Sequence, residues 1–256
     1  NYMKKISAII PTYNEENNIK EAIKSLDFVD EIIIVDSYST DKTIEIAKPL
    51  VDKIFQRNYE NSAEQKNWAL NKVENEWVII LDADERISKE LKNEILNLKN
   101  RTINYNGFWI KRMNYFMQKR VYFSGWQGDK VIRLFKRSVC KYEKKNVHAE
   151  IFSDGEIGIL KNKIIHNTYK SKSDYLYKLN RYAKWQAKDY DKKTKKITFL
   201  HLHIKPILRF LKHFVFHLGF LDGYIGFVIS IYQYKAVSLR YKYLKIYRAK
   251  NNQRNC

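Results

Sequence analysis

The strongest chemical signal in this sequence is a pair of aspartates that directly follows an apolar segment. Residues 77–81 read Trp-Val-Ile-Ile-Leu, and Asp82, Ala83, Asp84 and Glu85 come next. A short apolar run of this kind is typical of a buried strand, and ligands bind at the strand ends of open α/β sheets. Two carboxylates on a short turn suit a hard divalent cation that also holds phosphate oxygens. The alternative is an acidic turn that only caps the next helix.

The elements that would position these carboxylates alternate between strand and helix through the first hundred residues. Four apolar runs have the length of strands: 5–10, 31–35, 51–55 and 78–81. Each is followed by apolar residues at helical spacing, and this order predicts a parallel sheet covered by helices on both faces. Polar clusters end three of the predicted strands, at 12–15, 36–41 and 82–85. Because parallel strands share one edge, we expect these clusters to line one crevice.

Two common classes of nucleotide-binding protein do not fit this pattern. The sequence contains neither G-x-G-x-x-G nor G-x-x-x-x-G-K-[ST], which are the glycine-rich loops of dinucleotide-binding and P-loop proteins. What remains is a nucleotide held by carboxylates and a metal ion.

Three motifs, in this order, resemble the signatures of family 2 glycosyltransferases: IPTYNEE at 10–16, VDSYSTDKT at 35–43 and LDADE at 81–85. Further similarity points to the branch resembling lipopolysaccharide-core β-glucosyltransferases: GWQGDKVIRLFKR at 125–137, Val-His at 147–148, Ile-His at 165–166, and Pro-x-x-Arg-Phe with Gly-Phe-Leu-Asp-Gly between 206 and 227. The resemblance implies an α/β GT-A fold, which is a Rossmann-like, mostly parallel sheet flanked by helices. It also implies inverting, metal-dependent transfer of a hexose, with glucose favoured, from a UDP-sugar to a lipopolysaccharide or lipooligosaccharide core or a related surface glycan.

The same resemblance implies the residues of a donor site. Thr12 and Glu15 would contact the nucleoside, and Asp36 would hold uracil or ribose. Asp82 would face the ribose, and Lys66 would lie near the phosphates together with its neighbour Asn67. Simpler interpretations stay open: a helix start at Glu15, a strand cap at Asp36, and a solvated helix face at Lys66.

The resemblance also implies the metal and the base. Asp84 would ligate Mg²⁺ or Mn²⁺, with Glu85 as the rival ligand, and His166 would complete the metal or diphosphate site. Asp129, just before the predicted strand 131–135, would accept the proton of the acceptor hydroxyl. Its alternative role is that of a turn residue after Gly128.

Four more residues lie in or near the matched motifs, and roles are suggested for two of them. Arg133 and Lys136 would contact phosphate or acceptor, or would only make a strand face soluble. His148 and Glu150 depart from the spacing of the branch, so no role is carried over to them.

Charge and composition set further bounds. The 256 residues carry 48 Lys and Arg against 28 Asp and Glu, a net charge of +20 that is concentrated after residue 110. Such an excess favours polyanionic partners: an anionic membrane, a phosphorylated glycan or nucleic acid. No nucleic-acid-binding signature is present. The two cysteines, Cys140 and Cys256, form neither a disulfide framework nor a zinc pattern and suit a reducing compartment.

Residues 170–256 predict a separate helical region rich in basic and aromatic residues. The apolar stretch 214–232 includes His217 and Asp222, which argues against a simple transmembrane span. Amphipathic helices in a membrane interface fit better, and packing against the catalytic domain or a second copy of the chain is the alternative.

We therefore predict a catalytic domain over 1–169, in which 1–100 binds the nucleotide-sugar and 101–169 forms the acceptor side. Residues 170–256 would associate with a membrane or another subunit. The enzyme would be cytoplasmic and peripheral at the inner face of the cytoplasmic membrane. The competing hypothesis is a catalytically idle module that binds anionic lipid or nucleic acid through its basic C-terminal region.

Overall fold

The computed structural model describes residues 3–143, 150–169 and 171–254. The chain divides into two compact units. Unit 1 comprises Asn1–Met113 and Asp129–His166, and unit 2 comprises Asn114–Gly128 and Asn167–Cys256.

The strands, in chain order, are β1 (Ile6–Thr12), β2 (Glu31–Asp36), β3 (Lys53–Gln56), β4 (Trp77–Ile80), β5 (Glu85–Ile87), β6 (Gly107–Phe116), β7 (Lys119–Arg120), β8 (Lys130–Lys136), β9 (Cys140–Tyr142), β10 (Ile151–Ser153) and β11 (Ile157–Tyr169). The α-helices are α1 (Ile19–Lys24), α2 (Thr43–Ala47), α3 (Ser62–Leu70), α4 (Lys89–Lys99), α5 (Lys172–Asp191), α6 (Lys205–Leu211) and α7 (Gly223–Arg254).

The main sheet joins a parallel half to an antiparallel half. Over the described residues its order is β3-β2-β1-β4-β8-β6-β11-β5, with β7 paired to β6. Strands β3, β2, β1 and β4 run parallel, as the alternation of strands and helices predicts. Strand β8 then pairs antiparallel with both β4 and β6, and β5 pairs antiparallel with β11. Strands β9 and β10 form a separate two-stranded ribbon.

Alternate residues of the parallel strands feed two hydrophobic cores, one on each face of the sheet. In β1, Ala8 and Ile10 pack with Ile23 of α1 in one core. Their neighbour Ile9 packs with Leu70 of α3 in the other. This two-residue period is that of strand side chains. It confirms the prediction of a sheet covered by helices on both faces.

Unit 2 is built on α5, α6 and α7 around an aromatic core. The ring of Tyr175 stacks on that of Tyr232 at 4.3 Å between centroids, and Phe116 contacts Tyr175 edge-on at 5.5 Å. Within the part of the chain that the structure describes, no single helix is long and apolar enough to cross a membrane. The segments Leu200–Phe216 and Gly219–Asn251 meet that test only together, as a pair bent by 70°.

The segment 114–128 belongs to unit 2, although the sequence assigned it to the acceptor side of a 1–169 domain. The physical reason is the Asp222 carboxylate, which accepts hydrogen bonds from the N–H groups of Tyr122 and Phe123 and from the Ser124 hydroxyl, at 2.7–3.0 Å. Because three hydrogen bonds join this turn to Asp222, the turn packs with the residues around Asp222. Local sequence patterns contain no trace of this long-range pairing.

Candidate active site

The loops that follow β1 and β2 are joined side by side at one edge of the sheet. Asn14 adopts a left-handed backbone (φ 54°), a conformation that Asn tolerates better than most residues. Its Oδ1 accepts the N–H of Thr40, and its own N–H donates to the Ser39 hydroxyl, both at 2.8 Å. The N–H of Glu15 donates to the Thr43 hydroxyl at 2.7 Å. Two motifs 25 residues apart in sequence therefore form one rigid polar rim.

Asp36 lies fully buried at this rim, and the protein itself uses its hydrogen-bonding capacity. Its Oδ1 accepts from the hydroxyls of Thr12 (3.2 Å) and Ser39 (2.5 Å). Its Oδ2 accepts from the Ser39 N–H (2.9 Å) and from Gln56 Nε2 (3.1 Å). A carboxylate has about four acceptor positions, and all four are engaged. The predicted direct contact of Asp36 with uracil or ribose would require one of these bonds to be displaced, so its geometry is that of a group that orders the loops.

A short chain of hydrogen bonds connects Glu15 to the Asp-Ala-Asp-Glu turn at 82–85. Its Oε2 accepts from the Asn18 side chain at 2.6 Å, and the Asn18 carbonyl accepts from Arg86 at 2.8 Å. Arg86 also donates to the carbonyls of Ala83 (2.7 Å) and Glu85 (2.6 Å). Arg86 thereby holds the Asp-Ala-Asp-Glu turn in place, which the sequence did not indicate.

A compact charge cluster surrounds the turn after β4 and consists of Lys66, Asp82, Glu85, Arg112 and Arg133. Asp82 Oδ1 lies 3.1 Å from Lys66 Nζ, and Asp82 Oδ2 contacts an Arg133 guanidinium nitrogen. Glu85 is completely buried, and its Oε1 accepts from Arg112 at 2.7 Å and from Arg133 at 2.9 Å. Its Oε2 accepts the N–H of Asp82 at 3.0 Å. Three cations and two carboxylates thus come together from α3, β6, β8 and the strand end.

The electrostatics of the cluster keep both carboxylates ionised. Burial acts to raise the pKa of Asp82, but Arg133, followed by the other two cations, outweighs it, and the pKa falls well below its usual range. The pKa of Glu85 is lowered in the same way by Arg133 and Arg112. The pKa of Arg133 rises further despite burial, because Asp82 and Glu85 flank it. The cluster therefore stays ionised at neutral pH.

The side chains of the neighbouring candidates Lys66 and Asn67 make different contacts. Lys66 is buried, with its Nζ on Asp82 and 5.4 Å from the Tyr142 ring centroid, so it is not part of a solvated helix face. Asn67 forms a double hydrogen bond with the backbone of Tyr142 in β9, at 2.9 Å in both directions. The amide of Asn67 therefore docks α3 on the ribbon, and in this structure both of its polar atoms are engaged there rather than turned toward Lys66.

The remaining candidates also divide. Arg133 is buried in the cluster, which rules out a role limited to strand solubility. Lys136 lies over the Trp77 ring at 5.5 Å, at the opposite end of β4 from Asp82, and so stands away from the charge cluster. Glu150 is exposed, and His148 lies outside the described residues.

Asp129 and His166 flank the cluster on two sides. Asp129 Oδ1 lies 3.4 Å from Arg112 Nη1, and the Asp129 carbonyl accepts the Arg112 N–H at 2.9 Å. His166 pairs with Glu85 across β11 and β5, which brings its Nε2 to 3.8 Å from Asp84 Oδ2. Burial lowers the pKa of His166 to about 4. The imidazole is therefore neutral at physiological pH, the form that ligates metals.

Arg112 is the member of the charge cluster that sequence reasoning missed. It connects Glu85, Asp82 and Asp129, yet it lies in β6, for which no strand was predicted. The available signal was the Phe108-x-Ile110-x-Arg112 alternation, which points a basic side chain in the same direction as two apolar ones. An arginine in such a position requires a buried acidic partner.

A divalent cation fits the Asp84–His166 pair if the nucleotide supplies further ligands. Carboxylate oxygen and neutral imidazole are both metal donors. Over residues 3–143, 150–169 and 171–254, no group of three His, Cys, Asp or Glu side chains could hold a metal together. Mg²⁺ is commonly held by one or two carboxylates and substrate phosphates. In the neighbouring charge cluster, the buried Nε–H of Arg133 has no hydrogen-bond partner among the described residues. This N–H group is therefore a donor that could bind an oxygen of the nucleotide.

Comparison with known proteins identifies the family. The model of "Glycosyl transferase family 2" matches residues 7–212 of the chain. The protein belongs to glycosyltransferase family 2. An uncharacterised glycosyltransferase of Rickettsia typhi is 34% identical over 243 residues, covering 90% of this chain and 82% of that protein. The lipopolysaccharide core biosynthesis glycosyltransferase LpsC of Rhizobium meliloti is 26% identical over 230 residues, covering 87% and 85%.

The transferase also resembles a solved structure, residues 1–349 of TarS from Staphylococcus aureus. The TM-score is 0.47 at 17% identity, and the match covers 96% of this chain and 92% of that one. The family match and the sheet described above confirm the predicted α/β GT-A fold and the predicted glycosyltransferase activity.

Proposed function

We propose that the transferase is an inverting, metal-dependent enzyme that moves a hexose, with glucose favoured, from a UDP-sugar to a lipopolysaccharide or lipooligosaccharide core or a related bacterial surface glycan. The observation that carries the proposal lies within unit 1: the Asp84–His166 pair and Asp129 flank the same charge cluster. The name of the relative LpsC supports the choice of acceptor. The order of the three motifs supports the choice of a UDP-sugar.

In this proposal the donor binds along the edge formed by the loops after β1, β2 and β4. Thr12 and Glu15 contact the nucleoside, and Asp36 keeps Thr12 and Ser39 in position. Lys66 and the arginines of the charge cluster supply a positive field for the diphosphate. Groups fixed in advance by burial stabilise developing charge without reorganising during the reaction.

Asp129 acts as the general base. It accepts the proton of the acceptor hydroxyl while that oxygen forms a bond to the anomeric carbon of the donor. The bond between the anomeric carbon and the diphosphate breaks, and UDP leaves with the electron pair. Because the acceptor oxygen attacks from the face opposite the diphosphate, the configuration at the anomeric carbon is inverted. Arg112 holds the Asp129 carboxylate, at 3.4 Å between Nη1 and Oδ1.

Asp84 and His166 would hold the divalent cation, Mg²⁺ or Mn²⁺, together with the donor diphosphate. When bound, the cation neutralises negative charge on the leaving diphosphate. Because no group of three metal-binding side chains lies together within residues 3–143, 150–169 and 171–254, we expect the cation to bind tightly only in the presence of the nucleotide. This property distinguishes the site from one that binds metal on its own.

The location that we propose is the inner face of the cytoplasmic membrane. Residues 167–256 contain 20 Lys and Arg against four acids, Asp174, Asp189, Asp191 and Asp222. Apolar side chains between 199 and 227 are extensively exposed, with Phe199 at 70% and Phe216 at 80%. Basic and exposed apolar groups on one unit suit a surface of anionic lipid, where a glycolipid acceptor would be found.

Thermal unfolding with a panel of nucleotides tests the donor and metal assignments together. We expect UDP with Mn²⁺ to raise the melting temperature, because a ligand that binds only the folded state stabilises it. Mn²⁺ alone, and ADP or GDP with Mn²⁺, should have little effect. A shift with GDP or ADP in place of UDP would overturn the donor assignment. No shift with any nucleotide would favour the idle binding module, for which salt-sensitive binding to RNA or vesicles is the next measurement.

A further inference from the structure

Unit 2 contains a cavity lined by cations, and none of its lining residues belongs to the proposed transfer site. It has a volume of about 380 Å³ and lies between α5, α6 and α7. Its polar lining consists of four basic side chains and two tyrosines: Lys205, Arg209, Lys212, Arg240, Tyr190 and Tyr241. No acidic residue is among the residues that line it. A cavity of this composition selects an anion.

Neutral groups of the protein position the cations. Arg209 Nε donates to Gln233 Oε1 at 3.2 Å, and Lys205 Nζ donates to the Tyr241 hydroxyl at 3.3 Å. These contacts fix the side chains without cancelling their charge.

The other guanidinium is held in the same way. Arg240 Nε donates to Gln186 Oε1 at 2.9 Å, and its guanidinium carbon lies 4.3 Å from the centroid of the Tyr190 ring.

The acids of unit 2 that the structure places are engaged elsewhere or exposed. Asp191 pairs with Arg248 at 2.6 Å, Asp222 accepts the hydrogen bonds of the turn at 122–124, and Asp189 is exposed. Among the described residues, no salt bridge joins an acid to any of the four cations of the cavity. Burial and the nearby Arg240 lower the pKa of Arg209, which is the signature of cations that repel each other. An anionic ligand would relieve this repulsion.

The apolar surroundings identify the kind of anion. Lys205 and Arg209 stand four residues apart on α6, and therefore on one face of the helix, whereas Ile204, Ile207 and Leu211 project from another. These three apolar side chains are 36%, 47% and 38% exposed. A free phosphate or a nucleotide would leave this apolar face exposed to water, whereas the acyl chains of a lipid would cover it. The polar end of such a lipid would be a phosphate, because one guanidinium group can donate two parallel hydrogen bonds to two phosphate oxygens.

We propose that this cavity binds the phosphate headgroup of an anionic membrane lipid, with the apolar face of α6 in the acyl region. The inference rests on the proposed placement of unit 2 at the membrane. It is independent of the donor and metal assignments in unit 1, so UDP binding with Mn²⁺ reports on those assignments separately.

The test is flotation of the full chain with vesicles of phosphatidylcholine alone or mixed with phosphatidylglycerol. The pocket variant Arg209→Gln/Arg240→Gln is compared with Lys242→Gln/Lys245→Gln, which removes the same charge from exposed positions of α7 outside the cavity. We expect the pocket variant to lose at least about tenfold in affinity for the mixed vesicles, because it loses charge-assisted hydrogen bonds to phosphate. The control variant should lose about twofold or less through the general field alone.

Equal losses in the two variants, or no loss in the pocket variant, would overturn the proposal in favour of unspecific electrostatic attraction. Protection of the fold by inorganic phosphate, combined with unchanged vesicle binding of the pocket variant, would also overturn it, in favour of a soluble anion. If Arg209→Gln/Arg240→Gln does not fold, Lys205→Gln/Lys212→Gln removes two other cations of the same cavity, and the same tenfold loss is expected.

Discussion

Replacing each aspartate of the Asp-Ala-Asp-Glu turn by asparagine should change a different property of the protein. Asp82 belongs to the charge cluster, whereas Asp84 lies beside His166. Asp82→Asn keeps the shape of the side chain and removes the charge that faces Lys66 and Arg133. Asp84→Asn removes a charge next to a neutral imidazole. We therefore expect the first substitution to affect stability and the second to affect metal-dependent donor binding.

The magnitude for Asp82→Asn follows from the burial of its partners. Removing one member of a fully buried ion pair costs about 3–5 kcal/mol. The Arg133 side chain is only 4% exposed, but that of Asp82 is 33% exposed, and Arg133 retains Glu85. Both facts reduce the cost, and we therefore expect a loss of about 2–3 kcal/mol in the free energy of unfolding, at or below the lower limit of that range. At about 2–4 °C per kcal/mol, this corresponds to a melting temperature lower by roughly 4–12 °C. Asp84→Asn should change stability by no more than about 1 kcal/mol.

Urea unfolding followed by circular dichroism measures the stabilities, and calorimetric titration with UDP, with and without Mn²⁺, measures donor binding. Lys92→Met is the control for an exposed pair, since Lys92 and Asp27 are 31% and 57% exposed, and it should cost about 1 kcal/mol or less. The reasoning about the cluster is refuted if Asp82→Asn is no less stable than Lys92→Met. The metal assignment is refuted if Asp84→Asn retains the Mn²⁺-dependent part of the UDP affinity.

Three further predictions concern other parts of unit 1. Asp129→Asn should reduce kcat by about 10²–10⁴ because the base is lost, and UDP affinity should stay unchanged; a variant that retains kcat would exclude Asp129 as the base. Asn67→Ala should lower the free energy of unfolding by about 1–3 kcal/mol because two hydrogen bonds to Tyr142 are lost, and weaker UDP binding in calorimetry would contradict the docking role. Glu31→Gln should flatten the acid side of the stability–pH curve. Burial raises the pKa of Glu31, but hydrogen bonds to the ionised carboxylate outweigh it and bring the pKa below 4.5, so its stabilisation is present above that value and is lost as the pH falls through the folded pKa. Equal acid sensitivity of the variant and the parent in urea unfolding at each pH would contradict this assignment.

Much of the parallel half of the sheet could be predicted because its signals are local. The runs at 5–10, 31–35 and 78–81 match β1, β2 and β4 to within a residue or two, since burial on both faces produces short continuous apolar segments. The positions of Thr12, Asp36 and Asp82 at one edge follow directly from that topology. Their interactions do not, because the four bonds that occupy Asp36 come from residues up to 24 positions away.

The antiparallel half was not predictable to the same extent. Strand β6, which supplies Arg112, has charged residues within an aromatic segment, and its pairing with β8 includes a register shift at Phe108 and Trp109. The position of Lys136 relative to the charge cluster could not be predicted for a related reason. Residue type shows that a side chain can bind phosphate, but only the register shows which end of a strand it occupies.

The sequence alone determined the order of strands and helices, the strand-end location of the carboxylates, the family and the basic character of the C-terminal region. The family was indicated by the resemblance of three motifs to known signatures. The other features depend on periodicity, residue type or charge within a short window, where local physics is sufficient. The tertiary structure decided that Glu85 and Asp82 are balanced by Arg112 and Arg133, that His166 meets Asp84, and that 114–128 joins unit 2. These contacts link residues 27 to about 100 positions apart. They are set by strand register and by the requirement that buried charges find partners, and neither condition can be satisfied until the chain has folded.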